Sequence, residues 1–91
     1  MFQLALTNQF KKDLKLAKRR GLKMELLDKV VTLLTANGKL PISYKPHVLK
    51  GNYNGLWECH IQPDWLLVWE QSETIKLITL YRTGTHADLF K

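Results

Sequence analysis

Cysteine is almost absent. Cys59 is the only one in the chain, which excludes an intramolecular disulfide and a cysteine-rich zinc site. Acidic residues are scarce too: eight Asp plus Glu face fourteen Lys plus Arg, a formal net charge of +6. No apolar run approaches the ~18 residues of a membrane span, and the opening MFQLALTNQ lacks the charged-then-apolar layout of a signal peptide. Repeats and low-complexity tracts are missing as well. The expectation is a cytoplasmic protein with no membrane association. At 91 residues the chain supports one modest core, hence a single domain over residues 1–91. The composition, 45% hydrophobic and 24% charged, is that of a globular chain and not a disordered one.

The charge is unevenly spread. Ten of the fourteen basic residues and three of the eight acidic ones fall in residues 1–45, which leaves four and five for residues 46–91. A basic half beside a near-neutral half points to a polyanionic partner, most often nucleic acid. A solvated basic helix without a partner is the plainer alternative.

Hydrophobic periodicity gives the elements. Phe2 to Leu6 alternates and reads as a first strand. Thr7 can cap a helix in which Phe10, Leu14 and Ala17 face the core while Lys12, Lys15 and Arg19 recur on another face. Gly21 stops it. A second helix runs from about Lys23 to Ala36 on the stripe Leu27, Val30, Val31 and Leu34, ended by Asn37-Gly38. Residues 40–55 read as an ordered loop pinned by Tyr44, Val48, Leu49 and Tyr53. Three strands follow, Leu56 to Gln62, Trp65 to Gln71 and Ile75 to Arg82, then a short tail from His86. The middle strand is apolar on both faces and is expected to be central. The order β-α-α-β-β-β predicts an α+β fold, a helix hairpin on one face of a mostly antiparallel sheet with the other face partly open.

The organising stretch is WECHIQPDWLLVW (57–69), two strands and a tight Pro63-Asp64 turn. Alternation puts Trp57, Cys59 and Ile61 on one face and Glu58 and His60 on the other. His47 in the loop and His86 in the tail complete a set of three histidines near turns and strand ends. Imidazoles suit proton transfer near neutral pH. Cutting RNA without a metal needs a base for the 2′-hydroxyl, an acid for the leaving 5′-oxygen and a counter-charge for the phosphorane. Asp64 can hold an imidazole in its reactive tautomer, and Arg82 or a lysine can meet the phosphate. Trp65 and Phe90 can stack on bases, or else belong to the core. Lys12, Lys15 and Arg19 are the candidate phosphate contacts. Three His and one Asp are also metal-ligand types, but neither their spacing nor their faces argue for ligation, so no metal and no cofactor are expected. Cys59 and His60 are consecutive on a strand and point apart, so a Cys-His nucleophile is not expected and Cys59 reads as an apolar filler.

Three segments, HVLKGNYNG (47–55), HIQPDWLLVW (60–69) and YRTGTHADLF (81–90), together resemble the YafQ branch of the RelE-type toxins. That family's pattern runs His-x-Leu-x-Gly, then His-x-x-Pro-Asp-Trp, then Arg-Thr-Gly-Thr-His before a terminal phenylalanine. The likeness covers essentially the whole chain. It implies a ribosome-dependent endoribonuclease that cuts mRNA in the ribosomal A site and so inhibits translation. It also implies a DinJ- or RelB-like antitoxin partner, through which alone the toxin reaches operator DNA. The matching functional positions are His47, His60, Asp64, Trp65, His86 and Phe90, with His86 the foremost acid or base. Val48 stands where relatives can carry proline, and Trp57 where a basic residue can occur. The alternatives are a non-catalytic RNA- or ribosome-binding protein, and a decayed toxin acting as co-repressor with its antitoxin.

Overall fold

The computed structural model describes residues 1–90. In chain order the elements are β1 (Gln3–Leu6), α1 (Asn8–Arg19), α2 (Met24–Asn37), β2 (His47–Val48), β3 (Trp57–Gln62), β4 (Trp65–Ser72), β5 (Leu77–Gly84) and α3 (His86–Leu89). One-turn 3-10 segments stand at Ile42–Tyr44 and Gly51–Tyr53. The five strands form one sheet in the order β1-β5-β4-β3-β2. Only the β1–β5 pair is parallel, with Gln3 opposite Leu77 and Leu6 opposite Leu80. The expected α+β architecture is therefore the observed one, and the doubly apolar strand is indeed the middle one.

Alternation on β4 divides the molecule. Trp65, Leu67 and Trp69 join Cys59, Ile61, Ile78 and Leu80 in the core against Phe10 and Ala17 of α1 and Leu27, Val30 and Leu34 of α2. Leu66 and Val68 point the other way and pack with Leu89, Leu49 and Leu56. A strand whose two faces are both covered has no polar positions to spare, which is why it reads as a continuous apolar run.

Local chemistry sets the joints. The Thr7 hydroxyl oxygen accepts the Phe10 N–H at 2.9 Å, and the same hydroxyl donates to the Tyr81 carbonyl at 2.8 Å, so one residue both caps α1 and ties it to β5. Gly38 ends α2 at φ +67, where a Cβ would lie 2.6 Å from the Phe2 ring. Both the left-handed backbone and the missing side chain are needed there.

Three features differ from the sequence expectations. Residues 40–55 are not a plain loop: His47 and Val48 add a fifth strand to β3. Tyr44 packs on the core, but Val48 is exposed and pins nothing. The tail is a helical turn closed by a capping box, in which Thr85 accepts from the Asp88 N–H and Asp88 accepts from the Thr85 N–H. Finally, the pairing of β4 with β5 shifts between Val68 and Trp69, placing Arg82 opposite Val68 and Leu80 opposite Trp69. The extra residue, Tyr81, inverts the alternation. Thr83 therefore turns toward the helices, and Arg82 joins the Glu58–Val68 row on the opposite face.

Candidate active site

The face turned away from α1 and α2 carries the histidines. β3 presents Glu58 and His60 there, and β2 sets His47 opposite Glu58. Lys45, in the left-handed region at φ 53, turns the chain so that its carbonyl meets His47 Nδ1 at 2.8 Å. His47 Nε2 lies 3.2 Å from Glu58 Oε1. The Pro63 carbonyl lies 3.3 Å from His60 Nδ1. From the other side of the turn, Asp64 Oδ1 accepts both the backbone N–H of His86, at 3.0 Å, and its ring Nδ1, at 2.8 Å.

The ring centroids follow one another: His47 to His60 at 6.5 Å, His60 to His86 at 5.8 Å, His86 to Phe90 at 6.2 Å. Tyr53 meets Phe90 edge-on at 5.5 Å. Each histidine turns Nδ1 toward an oxygen that only accepts. A proton on Nδ1 is thereby favoured in every ring, and the neutral forms of His60 and His86 expose a bare Nε2. Two hydrogen bonds from His86 hold the Asp64 carboxyl below its ordinary value, the backbone one first. Asp64 thus stays an anion and an acceptor, the orienting role of the acid in a proton-transfer dyad.

A 390 Å³ pocket lined by Lys45, His60, Gln62 and Pro63 adjoins one end of this row. A 230 Å³ pocket lined by Lys50, Tyr53, Leu89 and Phe90 adjoins the other. Among the described residues, no group of three or more His, Cys, Asp or Glu side chains is arranged to hold a metal ion. Burial, and then the neighbouring Glu58 charge, push the Cys59 thiol up to about 12, in keeping with an inert core residue.

Of the expected site residues, the structure unites His47, His60, Asp64, His86 and Phe90. Trp65 is a correction. Its indole is 2% exposed, packed on the helix side, and its N–H donates to Thr83 Oγ1 at 2.9 Å. The first position after the turn falls on the core parity of β4, so its ring offers no open face to a base. Arg82 is a correction in part. It reaches the site face, but its Nε and Nη2 donate to Asp13 at 2.8 and 3.0 Å, so much of its guanidinium is already engaged. Lys12, Lys15 and Arg19 stand exposed on α1, and among the described residues no hydrogen bond or ion pair joins them to the histidines. Lys45 and Lys50, which line the two pockets, were not singled out in the sequence. Neither was Glu58, although its shared parity with His60 was the available signal.

The helical turn that begins at His86 and is capped by Phe90 is fastened to the far end of α1. Arg20 Nη1 and Nη2 donate to the two Asp88 oxygens at 2.6 and 3.1 Å. That hydrogen bonding, followed by the Thr85 N–H, holds the Asp88 carboxyl well below the usual carboxylate range. A depressed carboxyl contributes stability above its unfolded value, ~3.9, and loses it as pH falls through the lower folded value. Acidification below about pH 4 is therefore expected to loosen α3 first. Chemical shifts of Leu89 and Phe90 followed by NMR against pH report this; if they hold steady while the sheet itself unfolds, the tether is not what secures α3.

The open sheet face thus brings together a row of anchored imidazoles, an Asp–His pair and flanking lysines, groups able to move protons and to meet negative charge. The bacterial toxins of type II toxin–antitoxin systems described as YafQ match over residues 2–91, and the chain belongs to that family. An mRNA interferase toxin YafQ of Escherichia coli strain K12 is 42% identical over 85 residues, 92% of this chain and 90% of the relative. YafQ in the crystal structure of the E. coli DinJ–YafQ complex superposes with a TM-score of 0.90 at 39% identity, covering 100% of both chains. A metal-bound toxin from Helicobacter pylori also gives 0.90, at 38% identity, covering 99% of this chain and 100% of that one.

Proposed function

We propose that this toxin is an mRNA interferase: a cytoplasmic endoribonuclease that cuts message in the ribosomal A site and needs no metal. The observation that carries the reading is the row His47, His60 and His86, each ring fixed through Nδ1, with bare Nε2 atoms on His60 and His86 turned to an open, lysine-flanked face. In the reaction one bare Nε2 takes the proton of a 2′-hydroxyl. The freed oxygen attacks phosphorus and the bond to the 5′-oxygen breaks. A second, protonated imidazole then gives its proton to the leaving oxygen. The products are a 2′,3′-cyclic phosphate and a 5′-hydroxyl. Lys45 and Lys50 offset phosphate charge on either side, and Phe90, braced by Tyr53, shapes the wall against the base. The E. coli relative crystallised with DinJ supports a DinJ- or RelB-like antitoxin as the partner, with operator DNA reached only through it.

Expressed alone in cells, the chain is expected to arrest growth and leave messages broken within codons, carrying 5′-hydroxyl ends; co-expression with its antitoxin abolishes both. Intact message bound to the protein at low salt supports instead a non-catalytic RNA-binding role. Cleavage on purified ribosomes is expected to be unchanged by EDTA once ribosomal magnesium is kept constant. Loss of activity that added zinc or copper restores overturns the metal-free mechanism, a comparison the metal-bound H. pylori relative makes worthwhile.

A further inference from the structure

Arg20 joins two parts of the fold that lie 68 positions apart in the chain. It is the C-cap of α1, and its backbone N–H closes that helix on the Leu16 carbonyl. Its side chain is free to serve elsewhere. Nη1 and Nη2 donate to the two Asp88 oxygens, one each. The same Asp88 Oδ2 accepts the Thr85 N–H at 2.9 Å, and the Asp88 N–H donates to Thr85 Oγ1 at 3.1 Å. Thr85 immediately precedes His86, whose N–H and ring Nδ1 both meet Asp64 Oδ1. A continuous chain of contacts therefore runs from the guanidinium through Asp88 and Thr85 to the residue that carries the imidazole.

A four-residue helix has no stability of its own, so α3 stands where its anchors put it. At its far end Leu89 packs with Leu66 and Val68, and the Tyr53 hydroxyl donates to the Leu89 carbonyl at 3.1 Å. At the His86 end the anchors are polar and partly exposed. An exposed ion pair adds little to global stability, but a two-oxygen guanidinium fork fixes direction as well as distance. The fit around Asp88 is close: a Cβ at Gly84 would lie 2.8 Å from Asp88 Oδ2 and 3.0 Å from the Asp88 Cβ. The Asp88 charge also opposes ionisation of the neighbouring Asp64, so the guanidinium offsets a like charge beside the Asp64–His86 pair.

We propose that Arg20 is a positioning residue for message cleavage: through Asp88 and Thr85 it fixes the first residue of α3, and with it the His86 imidazole, against the substrate. This assignment rests on the cleavage reading above. Arg20 needs no contact with RNA to act in this way. Without its side chain, Leu89 and Tyr53 still keep the turn on the sheet, but the His86 end loses its brace. Misplacing a proton-transferring ring by about an ångström costs rate and leaves substrate binding largely intact.

The test compares the wild-type protein with Arg20→Ala, Arg20→Lys, Asp88→Ala and the double variant Arg20→Ala/Asp88→Ala. On ribosomes programmed with message, kcat of Arg20→Ala is expected to fall by about 10- to 100-fold, while KM changes by less than about twofold. Arg20→Lys, a cation that cannot span both Asp88 oxygens, recovers part of the loss. Once Asp88 is replaced, removing Arg20 costs nothing further, the non-additivity of two residues that act as one. In Arg20→Ala the His86 amide hydrogen exchanges faster by about tenfold or more, while the amides of β4 keep their protection. A contribution to global stability alone speeds exchange throughout the sheet and leaves kcat of the folded protein unchanged. The proposal is overturned if Arg20→Ala keeps full kcat or leaves His86 exchange unmoved. It is also overturned if the losses from Arg20→Ala and Asp88→Ala add while KM rises, which makes Arg20 a direct phosphate contact. If the wild-type protein leaves message intact, the cleavage reading fails, and exchange at His86 still decides whether Arg20 orders the turn.

Discussion

Replacing His86 with alanine is expected to reduce message cleavage by about 10²- to 10⁴-fold, the usual contribution of a positioned acid or base, and to relieve growth arrest with it. The side chain is 55% exposed, so its removal leaves little cavity. The backbone N–H that reaches Asp64 survives the substitution, as do the Thr85 capping box and the Arg20–Asp88 pair. The helical turn therefore stays docked and the melting temperature is expected to move by only a degree or two, as for other exposed positions. Single-turnover cleavage on programmed ribosomes, alongside thermal denaturation, separates the two effects. Undiminished cutting by a folded His86→Ala protein removes His86 from the mechanism and shifts the burden to His60. The companion change Asp64→Asn keeps the ring nearby but alters which nitrogen carries its proton, and a loss nearly as large is expected if the tautomer is what matters.

The largest effect on stability is expected far from the histidines, at Asp13. This residue of α1 is 7% exposed, and its carboxylate is saturated. Oδ2 accepts from Arg82 Nε at 2.8 Å and from the Thr83 N–H at 3.1 Å. Oδ1 accepts from Arg82 Nη2 at 3.0 Å and from Gln9 at 3.1 Å. Thr83 in turn holds the Trp65 indole and donates to the Leu66 carbonyl. β1 pairs with β5 only as far as Leu80, so beyond that point Asp13 does for β5 what a neighbouring strand would otherwise do. Asp13→Ala leaves a guanidinium without its anion and a buried N–H without an acceptor, an imbalance that costs about 3–5 kcal/mol. For a domain of this size that lowers Tm by at least about 10 °C. Asp13→Asn keeps an acceptor oxygen and is expected to lose less. Urea denaturation of the two variants checks the ordering. A loss below about 1 kcal/mol for Asp13→Ala identifies the pair as an ordinary solvent-screened one.

Asp13 also marks where reading the chain falls short. Three residues after Phe10 and four before Ala17 it sits within the buried stripe of α1, yet as a charged residue it breaks the apolar pattern. Nothing local announces that a guanidinium 69 positions away will neutralise it. Trp65 shows the same limit from the other direction. Its motif placed it in the site, whereas the parity of β4 sends its ring to the core and leaves Leu66 and Val68 on the face beneath α3. The bulge at Tyr81 is a third case. Simple alternation from Ile78 and Leu80 would turn Arg82 toward the helices, and only the pairing with β4 reveals the inversion.

The strand–turn–strand at 57–69, the Thr7 cap, the Gly38 stop and the opposite facing of Cys59 and His60 were all determined by the sequence, because each depends on residues within a few positions of one another. So was the set of three histidines and Asp64 as candidates for proton chemistry, through residue type and motif. What the tertiary structure decided was which atoms meet. It brought His86 onto Asp64, slid His47 beside a buried Glu58, and gave Arg82 to Asp13. Each of these depends on strand register and on packing across long separations in the chain, where one residue of slip reverses a face and no local propensity records the choice.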